Sequence, residues 1–283
     1  MQIRLADTVD LPPMAEMAVT QQAVASTFIA YLGDTVESIA TDVAAIDHWP
    51  ERTAVATDGG RVVGWLAGEK DDEMGRVWWW GPFVSDRPDR AAVADKLYRL
   101  AASAVTADEE ELAPDDRNRW VAECALRWGF HPETASAVLR YTGSGFDDVA
   151  GVSDLGPEHA SATAALHDLL FPGTHTPGAM LVSADHPRLV LAMDGRVAGY
   201  VAVETQSDGS GYVDYLGVDP ELRNRGIGRD LVRAATNRLL QLGATSVNLT
   251  VREDNVAARR LYAALGFEEE RLIRPFRKGF SLG

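Results

Sequence analysis

The sequence predicts an α/β (α+β) fold built from two copies of one unit, each a mixed β-sheet flanked by helices. Segments that suit β-strands alternate with segments of helical period along the chain, which is typical of layered α/β proteins. Residues 60–69 match residues 195–204, and residues 118–130 match residues 255–267. Because the two separate matches have nearly the same offset, we infer a duplication.

The first copy is predicted over residues 1–143. A turn with the sequence Asp-Gly-Gly at residues 58–60 favours a tight hairpin between two of its strands. In order, the patterns predict a strand at 3–5, a helix through Met14 and Met17, a helix at 36–46, a hairpin at 53–57 and 61–69, a strand at 77–84, helices at 91–104 and 120–127, and a closing strand at 137–142.

The second copy is predicted over residues 146–283, after a Gly-Ser-Gly link. In order, the patterns predict helices within 158–180, a hairpin at 188–193 and 196–206, a strand at 211–218, a helix, a strand at 245–251, a helix that Asn255 caps, and a last strand at 272–278. Since this order repeats that of the first copy, both copies are expected to form the same mixed sheet.

Composition limits the partners of this protein. Of 283 residues, 46% are hydrophobic and 24% are charged, and the net charge is −15 with a pI near 4.8. Nucleic acids and anionic membranes prefer a basic surface, so neither is expected as a partner, whereas a cationic substrate fits. Cys124 is the single cysteine, which excludes a disulfide framework. Apolar runs too short for a bilayer, and residues 1–7 without the apolar core of a signal peptide, predict a cytoplasmic location.

A strand-to-helix junction in the second copy carries the strongest functional signal. The strand at 211–218 leads into a segment that contains Arg223, Gly226 and Gly228, and a helical pattern follows. Backbone N–H groups at a helix start have no intrahelical partner, and the helix dipole adds partial positive charge. Glycine lets an anion approach this backbone because it has no Cβ. The junction predicts a phosphate-binding loop, with an ordinary turn as the alternative.

The spacing Arg223-x-x-Gly226-x-Gly228 resembles the pyrophosphate loop of the GNAT superfamily of acyl-CoA-dependent N-acyltransferases. In a second GNAT pattern, a helix opens with Asn and closes with Leu-Tyr-x-x-x-Gly-Phe. Residues 255–267 match it, from Asn255 through Tyr262 to the final Gly-Phe. The resemblance covers residues 146–283 and implies a tandem arrangement of two GNAT-like domains.

The resemblance implies acetyl-CoA as a co-substrate. The backbone N–H groups of residues 225–229 are expected to hold the pyrophosphate, and the backbone of residues 216–218 to pair with the pantetheine arm. The predicted cofactor residues are Leu216, Gly217, Val218, Arg223, Asn224, Arg225, Gly226, Ile227, Gly228, Arg229 and Asn255. Arginines at a helix start are often only solvated, and a β-bulge is an equally good reason for the glycine at position 217.

The resemblance also implies catalytic roles. Tyr262 matches the general acid of the family, with an interior aromatic residue as the alternative. Many GNAT enzymes carry a glutamate base on the strand before the loop, and Tyr212 occupies that position here. Asp214, two residues on and expected on the same face of the strand, is the first candidate base. Glu204 on the neighbouring strand is the second.

Other residues near the expected substrate cleft give weaker signals. His159, His167 and His175 lie in its helical border, but scattered surface histidines explain them equally well, and their spacing predicts no metal site. Acceptor specificity is expected to depend on the loops at residues 171–183 and 207–211. In the first copy, the three tryptophans at residues 78–80 are expected in the core or at a domain interface rather than in a substrate cage.

The first copy is expected to lack the cofactor site. Residues 84–92, which occupy the position of the phosphate loop, contain no glycine and place Asp86 and Asp89 where a pyrophosphate would lie. Ala125 is aligned with Tyr262. We predict a degenerate domain at residues 1–143 and a catalytic, acyl-CoA-binding domain at residues 146–283.

The predicted function is acetyl-CoA-dependent N-acetyl transfer to the amine of a small molecule or peptide, directly within a ternary complex. Because Tyr212 replaces the usual glutamate, a catalytically inactive acyl-CoA-binding sensor or structural protein is the alternative. Acyl transfer to oxygen on the same fold is a third interpretation, which the sequence does not separate from the first.

Overall fold

The computed structural model describes residues 1–72, 75–174, 176–183, 186–206 and 208–279. It divides into two compact units, one of residues 1–136 and 271–283 and the other of residues 137–270. The described strands form two seven-stranded sheets. In the described residues, no helix is long and apolar enough to cross a membrane.

The first unit begins with the elements predicted for the first copy. Its strands are β1 (Gln2–Leu5), β2 (Thr53–Asp58), β3 (Arg61–Asp71), β4 (Arg76–Val84), β5 (Glu109–Leu112) and β6 (His131–Pro132). Its helices are α1 (Leu11–Gln22), α2 (Val36–Ala45), α3 (Arg90–Ala104) and α4 (Arg119–Arg127). β1 to β4 pair antiparallel in sequence order, whereas β4 and β5 pair in parallel, so the sheet is mixed as predicted.

The second unit repeats this order. Its strands are β7 (Ser136–Tyr141), β8 (Val152–Asp154), β9 (Arg188–Met193), β10 (Arg196–Thr205), β11 (Gly211–Val218), β12 (Val247–Arg252) and β13 (Glu268–Ile273). Its helices are α5 (Pro157–Leu170), α6 (Gly178–Ser183), α7 (Ile227–Gln241) and α8 (Val256–Ala264). The strand order is β13-β7-β12-β11-β10-β9-β8, with β11 and β12 parallel.

Matching helix caps support the duplication. The side chain of Asn118 accepts a hydrogen bond from the backbone N–H of Val121, and that of Asn255 accepts one from Ala258, both at 3.2 Å. Such an asparagine satisfies a backbone N–H group that has no partner inside the helix. The predicted cap at Asn255 is therefore confirmed, and α4 is capped in the same way.

The first core contains the aromatic residues that the sequence places there. Trp79 and Trp80 are buried, and Trp78 packs partly buried against the same cluster. The indole of Trp79 donates to Glu110 at 2.9 Å, and its ring meets that of Tyr98 edge to face. The expectation that these tryptophans belong to a core is confirmed.

The last strands differ from the prediction. The sequence predicts residues 137–142 as the closing strand of the first copy and residues 272–278 as that of the second. Instead, β7 lies between β13 and β12 in the second sheet, and a short strand β14 (Phe276–Lys278) lies between β5 and β6 in the first. The compact units thus differ from the predicted domains, residues 1–143 and 146–283, by an exchange of closing strands.

Opposite charges explain why β14 joins the first sheet. β5 reads Glu-Glu-Glu-Leu and β14 reads Phe-Arg-Lys, and the register sets Arg277 opposite Glu111 and Lys278 opposite Glu110. Arg277 Nε donates to the Glu111 carboxylate at 2.8 Å, and Lys278 Nζ lies 2.9 Å from Glu110. Directly opposed unlike charges stabilise a strand pair. β5 was not predicted as a strand, because three glutamates alone suit a solvated segment.

We expect Arg277→Met to destabilise the first unit by about 2 to 3 kcal/mol, because it leaves the Glu111 carboxylate, only 4% exposed, without its cation. Urea denaturation monitored by tryptophan fluorescence measures the change. The control is Lys70→Met, which removes an ion pair with the largely exposed Asp72 and should cost less than about 1 kcal/mol. Equal losses in the two variants would contradict the role given to the β5–β14 charges.

Candidate active site

The strands that carry the site separate part-way along the second sheet. β11 and β12 pair at Gly211–Val247, Tyr212–Asn248 and Val213–Leu249, and no further pair is recorded among the described residues of these strands. Both strands nevertheless continue, to Val218 and Arg252. One edge of β11 is therefore open beyond Val213, and an extended ligand can pair with such an edge.

A β-bulge lies at the same point. Ala202 pairs with Tyr215 and Val203 pairs with Val213, so Asp214 is an extra residue between two regular pairs. A bulge bends the strand, increases its twist and interrupts the alternation of its faces. The expectation that Asp214 shares a face with Tyr212 assumed strict alternation and no longer follows.

The two faces of the sheet carry different helices. A Cβ on Gly199 would meet Ile227 and Leu231 of α7, whereas the neighbouring Tyr200 contacts His167 of α5. Because successive residues of a strand point to opposite faces, α5 and α7 cover opposite faces. The open edge of β11 lies between these layers.

The junction after β11 has the backbone of an anion-binding loop. Asn224 and Gly226 have positive φ angles of 62° and 83°, and Gly226 is the N-cap of α7. Left-handed residues beside right-handed ones gather N–H groups into a concave surface. No atom lies within 4 Å of a Cβ built on Gly226, so its conformation rather than crowding favours glycine.

Charges around the loop favour an anion. Arg196 lies 2.5 Å from Asp219 and 2.9 Å from Glu221, the two acidic residues that precede the loop. In contrast, Arg223 and Arg229 are exposed, and no ion pair with another described residue is recorded for either. The loop is therefore locally cationic although the chain carries a net charge of −15.

A cleft of about 860 Å³ follows the loop and the open edge of β11, a size suited to a small-molecule ligand. Nine of the eleven predicted cofactor residues line it, whereas Gly217 and Arg225 do not. The lining residues are Leu170, Phe171, Leu216, Val218, Arg223, Asn224, Gly226, Ile227, Gly228, Arg229, Asn255, Ala257, Ala258, Arg260, Leu261 and Ala264.

Two walls of the cleft, from α5 and α8, were not predicted from the sequence. Leu170 and Phe171 come from the end of α5, and Arg260 adds a third cation to the cleft. Ala257, Leu261 and Ala264 recur at helical spacing along α8, so the pattern of small and apolar residues after Asn255 was the available signal.

The glycines of the site have different structural reasons. A Cβ on Gly217 would lie 2.3 Å from the Tyr200 ring and 3.0 Å from Leu170, so this glycine makes room for protein side chains. A Cβ on Gly228 would only touch Leu261 and Val218 at 3.6 and 3.7 Å, which are ordinary contacts. Protein packing therefore leaves room for a side chain at position 228, where the cleft lies.

Tyr262 is an interior side chain of α8. It is 6% exposed, its ring lies 5.8 Å from that of Phe267, and it is not among the cleft-lining residues. Burial, followed by the neighbouring Tyr212 hydroxyl, raises the pKa of Tyr262 to about 12. Its hydroxyl therefore keeps its proton at neutral pH. Its role as a general acid remains a prediction.

The two candidate bases lie close to Tyr212. Glu204 is directly opposite Tyr212 in the β10–β11 register and accepts a hydrogen bond from Gln206 Nε2 at 2.5 Å. Asp214 is exposed in the bulge. Burial raises the pKa of Tyr212, a hydrogen bond with the Thr250 side chain opposes this, and Asp214 and then Glu204 raise it further. Tyr212 is therefore a proton donor rather than a base.

His167 is a structural residue of the α5 face rather than part of the surface border expected from the sequence. It is fully buried, with Nε2 2.8 Å from the carbonyl oxygen of Thr176 and Nδ1 2.6 Å from the Tyr200 hydroxyl. Since a carbonyl only accepts, Nε2 donates and Nδ1 accepts from Tyr200. His159 is half-buried, and His175, like Ser207 of the second predicted specificity loop, lies outside the described residues.

The corresponding junction of the first unit has lost these features. Asp89 is the N-cap of α3, and Arg87 forms ion pairs with Asp89 and Asp58, so this arginine is neutralised within the protein. The predicted absence of glycine there is a property of the sequence, and the structure adds that one of the two arginines, Arg87, is already paired with carboxylates.

The part of the chain that forms this site is similar to a known family. Residues 160–267, which include the loop, the open strand edge and α8, match the model of the acetyltransferase (GNAT) family. This part of the second half of the chain is similar to a GNAT domain. Its phosphate-loop and Asn255–Phe267 motifs lie in the elements that the resemblance predicted.

Curated relatives of the GNAT domain include two mycothiol acetyltransferases. That of Nocardiopsis dassonvillei is 41% identical over 87 residues, which is 28% of this chain and 26% of the relative. That of Clavibacter sepedonicus is 28% identical over 191 residues, 67% of this chain and 52% of the relative. The chain thus spans only about a quarter to a half of these relatives.

Solved structures confirm the fold of the whole chain. A GCN5-related N-acetyltransferase from Sphaerobacter thermophilus has a TM-score of 0.75 at 16% identity and covers 98% of this chain and 95% of that one. A tandem GNAT protein from the clavulanic acid biosynthesis pathway has a TM-score of 0.64 at 19% identity, with full coverage of both chains. At such identities the likeness establishes fold alone, and it confirms the predicted tandem GNAT fold.

Two glycine substitutions should separate packing from ligand space. We expect Gly199→Ala to cost about 1 to 3 kcal/mol, because its Cβ would lie 2.7 Å from the Gly217 carbonyl oxygen. Gly228→Ala should change the free energy of unfolding by less than about 0.5 kcal/mol. Thermal or urea denaturation measures both, and a strong loss in Gly228→Ala would show that packing already requires this glycine.

Proposed function

We propose that the second unit binds acetyl-CoA and transfers the acetyl group directly to the amine of a small molecule or peptide. The observation that carries this proposal is the cleft, which joins the open edge of β11 to the cationic loop at residues 223–229. Members of the GNAT family use acetyl-CoA, and the relatives of this domain are named as acetyltransferases.

The residues of the cleft fit acetyl-CoA in a defined direction. The N–H groups of residues 225–229 would hold the pyrophosphate, and Arg223, Arg229 and Arg260 would supply positive charge. The backbone of residues 216–218 would pair with the pantetheine arm as a further strand would. This direction brings the thioester toward the bulge, where Tyr212, Asp214 and Glu204 are grouped.

Acetyl transfer requires a neutral amine, whereas a free alkylammonium has a pKa of about 10.4. We propose that Asp214 or Glu204 accepts the proton, directly or through water. The amine nitrogen then forms a bond to the carbonyl carbon, and the carbon–sulfur bond breaks as the tetrahedral intermediate collapses. The nitrogen gives its surplus proton, directly or through water, to the departing thiolate, which leaves as the free thiol. An N–H group of residues 216–218 would stabilise the oxyanion.

Tyr262 would stabilise the departing thiolate. A thiol has a pKa of about 8.5, so a phenol with a pKa of about 12 is the weaker acid. Complete proton transfer from Tyr262 to the thiolate is therefore unfavourable, and a hydrogen bond to the sulfur is the role that its protonation state supports.

The cofactor site is tested with Gly228→Asp, which places a carboxylate in space that protein packing leaves open. We expect acetyl-CoA affinity, measured by calorimetry, to fall at least about 100-fold, because like charges repel and the backbone becomes less accessible. Gly59→Asp adds the same charge to the open β2–β3 turn of the first unit and should leave the affinity unchanged. Equal affinities in both variants would refute the site.

Activity is tested by the release of free CoA thiol from acetyl-CoA across a panel of diamines, amino sugars, amino-acid amides and short peptides. Amine-dependent release supports the transferase. Binding of acetyl-CoA without any amine-dependent release would instead support the acyl-CoA-binding protein without catalysis.

Tyr262→Phe should lower kcat roughly 10- to 100-fold with an unchanged Kd for acetyl-CoA. Because the pKa of Tyr262 is raised to about 12, its hydroxyl remains a donor below that pH. The wild-type kcat profile should therefore show no loss from Tyr262 ionisation up to about pH 11. A falling limb near pH 10 that disappears in Tyr262→Phe would contradict this assignment.

A further inference from the structure

A row of three polar side chains crosses the second sheet where β11 and β12 separate. The register pairs Glu204 with Tyr212 and Tyr212 with Asn248. Directly paired residues share a face of the sheet, and Glu204 lies four residues from Tyr200 on β10, so this is the face covered by α5. All three side chains are half-buried, and the Tyr212–Asn248 pair is one pair before the last recorded one, Val213–Leu249.

Asn248 carries an unsatisfied hydrogen-bond acceptor. Its Oδ1 atom is fully buried, and no hydrogen-bond partner for it is found among the described residues. Leaving a buried amide oxygen without a donor costs about 1 to 3 kcal/mol, so such atoms are rare unless a ligand or water supplies the donor.

The first unit shows the same row in a closed form. There Glu69 pairs with Trp78, and Trp78 pairs in parallel with Glu111. Glu111, at the position of Asn248, accepts hydrogen bonds from the Tyr31 hydroxyl at 2.5 Å and from Arg277 Nε at 2.8 Å. In the unit without a cofactor loop, the protein itself therefore supplies the donors for this position.

We propose that Asn248, Tyr212 and Glu204 form the subsite that holds the acceptor amine. This inference rests on the proposed acetyl transfer. An ammonium group has three N–H donors, and the row offers three acceptors. Asn248 Oδ1 has no partner among the described residues, whereas the Tyr212 hydroxyl also bonds Thr250 and the Glu204 carboxylate also accepts from Gln206. The subsite selects a primary amine that arrives as an ammonium and holds it beside the bulge, near the expected position of the thioester.

The raised pKa of Tyr212 agrees with this role. Its hydroxyl stays neutral, so it accepts one N–H of the ammonium without competing for the proton. Tyr212 would then orient the amine rather than deprotonate it.

The decisive variant is Asn248→Leu, which keeps the approximate size of the side chain and removes the acceptor. We expect KM for the amine to rise roughly 10- to 100-fold, as for loss of a hydrogen bond to a charged group, with an unchanged Kd for acetyl-CoA. The melting temperature should stay the same or rise, because the variant also removes an unsatisfied buried polar atom.

Three further variants narrow the interpretation. Asn248→Asp keeps acceptor oxygens and should bind the amine about as well as the wild type. Ser246→Ala removes another buried hydroxyl without a partner among the described residues, two positions away, and should change neither the amine KM nor the Kd for acetyl-CoA. Tyr212→Phe should raise the amine KM by roughly 2- to 10-fold.

Different failures have different meanings. If the wild type releases thiol with an amine and Asn248→Leu retains the same KM, the subsite is refuted while acetyl transfer stands. If Asn248→Leu lowers the melting temperature together with acetyl-CoA affinity, Asn248 has a structural role and the subsite is again refuted. If the wild type turns over no amine of the panel, acetyl transfer is refuted. Calorimetric titration of the same amines into CoA-bound wild type and Asn248→Leu then tests the subsite, and equal heats refute it.

Discussion

The separation of β11 from β12 after Val213 is the feature on which the rest of the site depends. Backbone N–H and C=O groups in a sheet need partners, and the neighbouring strand normally supplies them. Here the recorded pairing ends after three residue pairs although both strands continue, and the bulge at Asp214 bends β11 at the same point. The open edge, the cleft and the polar row all follow from this divergence.

Electrostatics reinforce this geometry at one place only. The chain is strongly acidic, yet the cleft contains three arginines for which no ion pair is recorded among the described residues. Asp219 and Glu221, just before the loop, pair with Arg196 instead. A local field depends on which charges are left uncompensated near it rather than on the net charge of the molecule. One unit therefore presents a cationic loop and, near Tyr212, the carboxylates of Asp214 and Glu204.

The two units show the same fold with different polar rows: the protein's own side chains occupy the row in the first unit and leave an acceptor unpaired among the described residues of the second. Both units share the sheet order around the parallel pair and a bulge opposite the second hairpin strand. In both, an asparagine also caps the helix that follows the second strand of the parallel pair. In the first unit, Tyr31 and Arg277 donate hydrogen bonds to Glu111 at the end of the polar row. Arg87, at the position that corresponds to the phosphate loop, is paired with Asp89. In the second, the loop keeps its glycines and the end of the row keeps an unpaired acceptor.

The sequence by itself determined the features that depend on neighbours close along the chain. The hairpins, the caps, the loop from Arg223 to Gly228 and the α8 motif are written in spacings of two to thirteen residues, and most of the predicted cofactor residues line the cleft. Only the tertiary structure decided which strands close each sheet, that three glutamates form β5, and that Asn248 and Glu204 lie on either side of Tyr212. Those outcomes depend on strand register between distant segments, and an alternating pattern such as Val247 to Val251 shows which residues point outward but not what lies across from them.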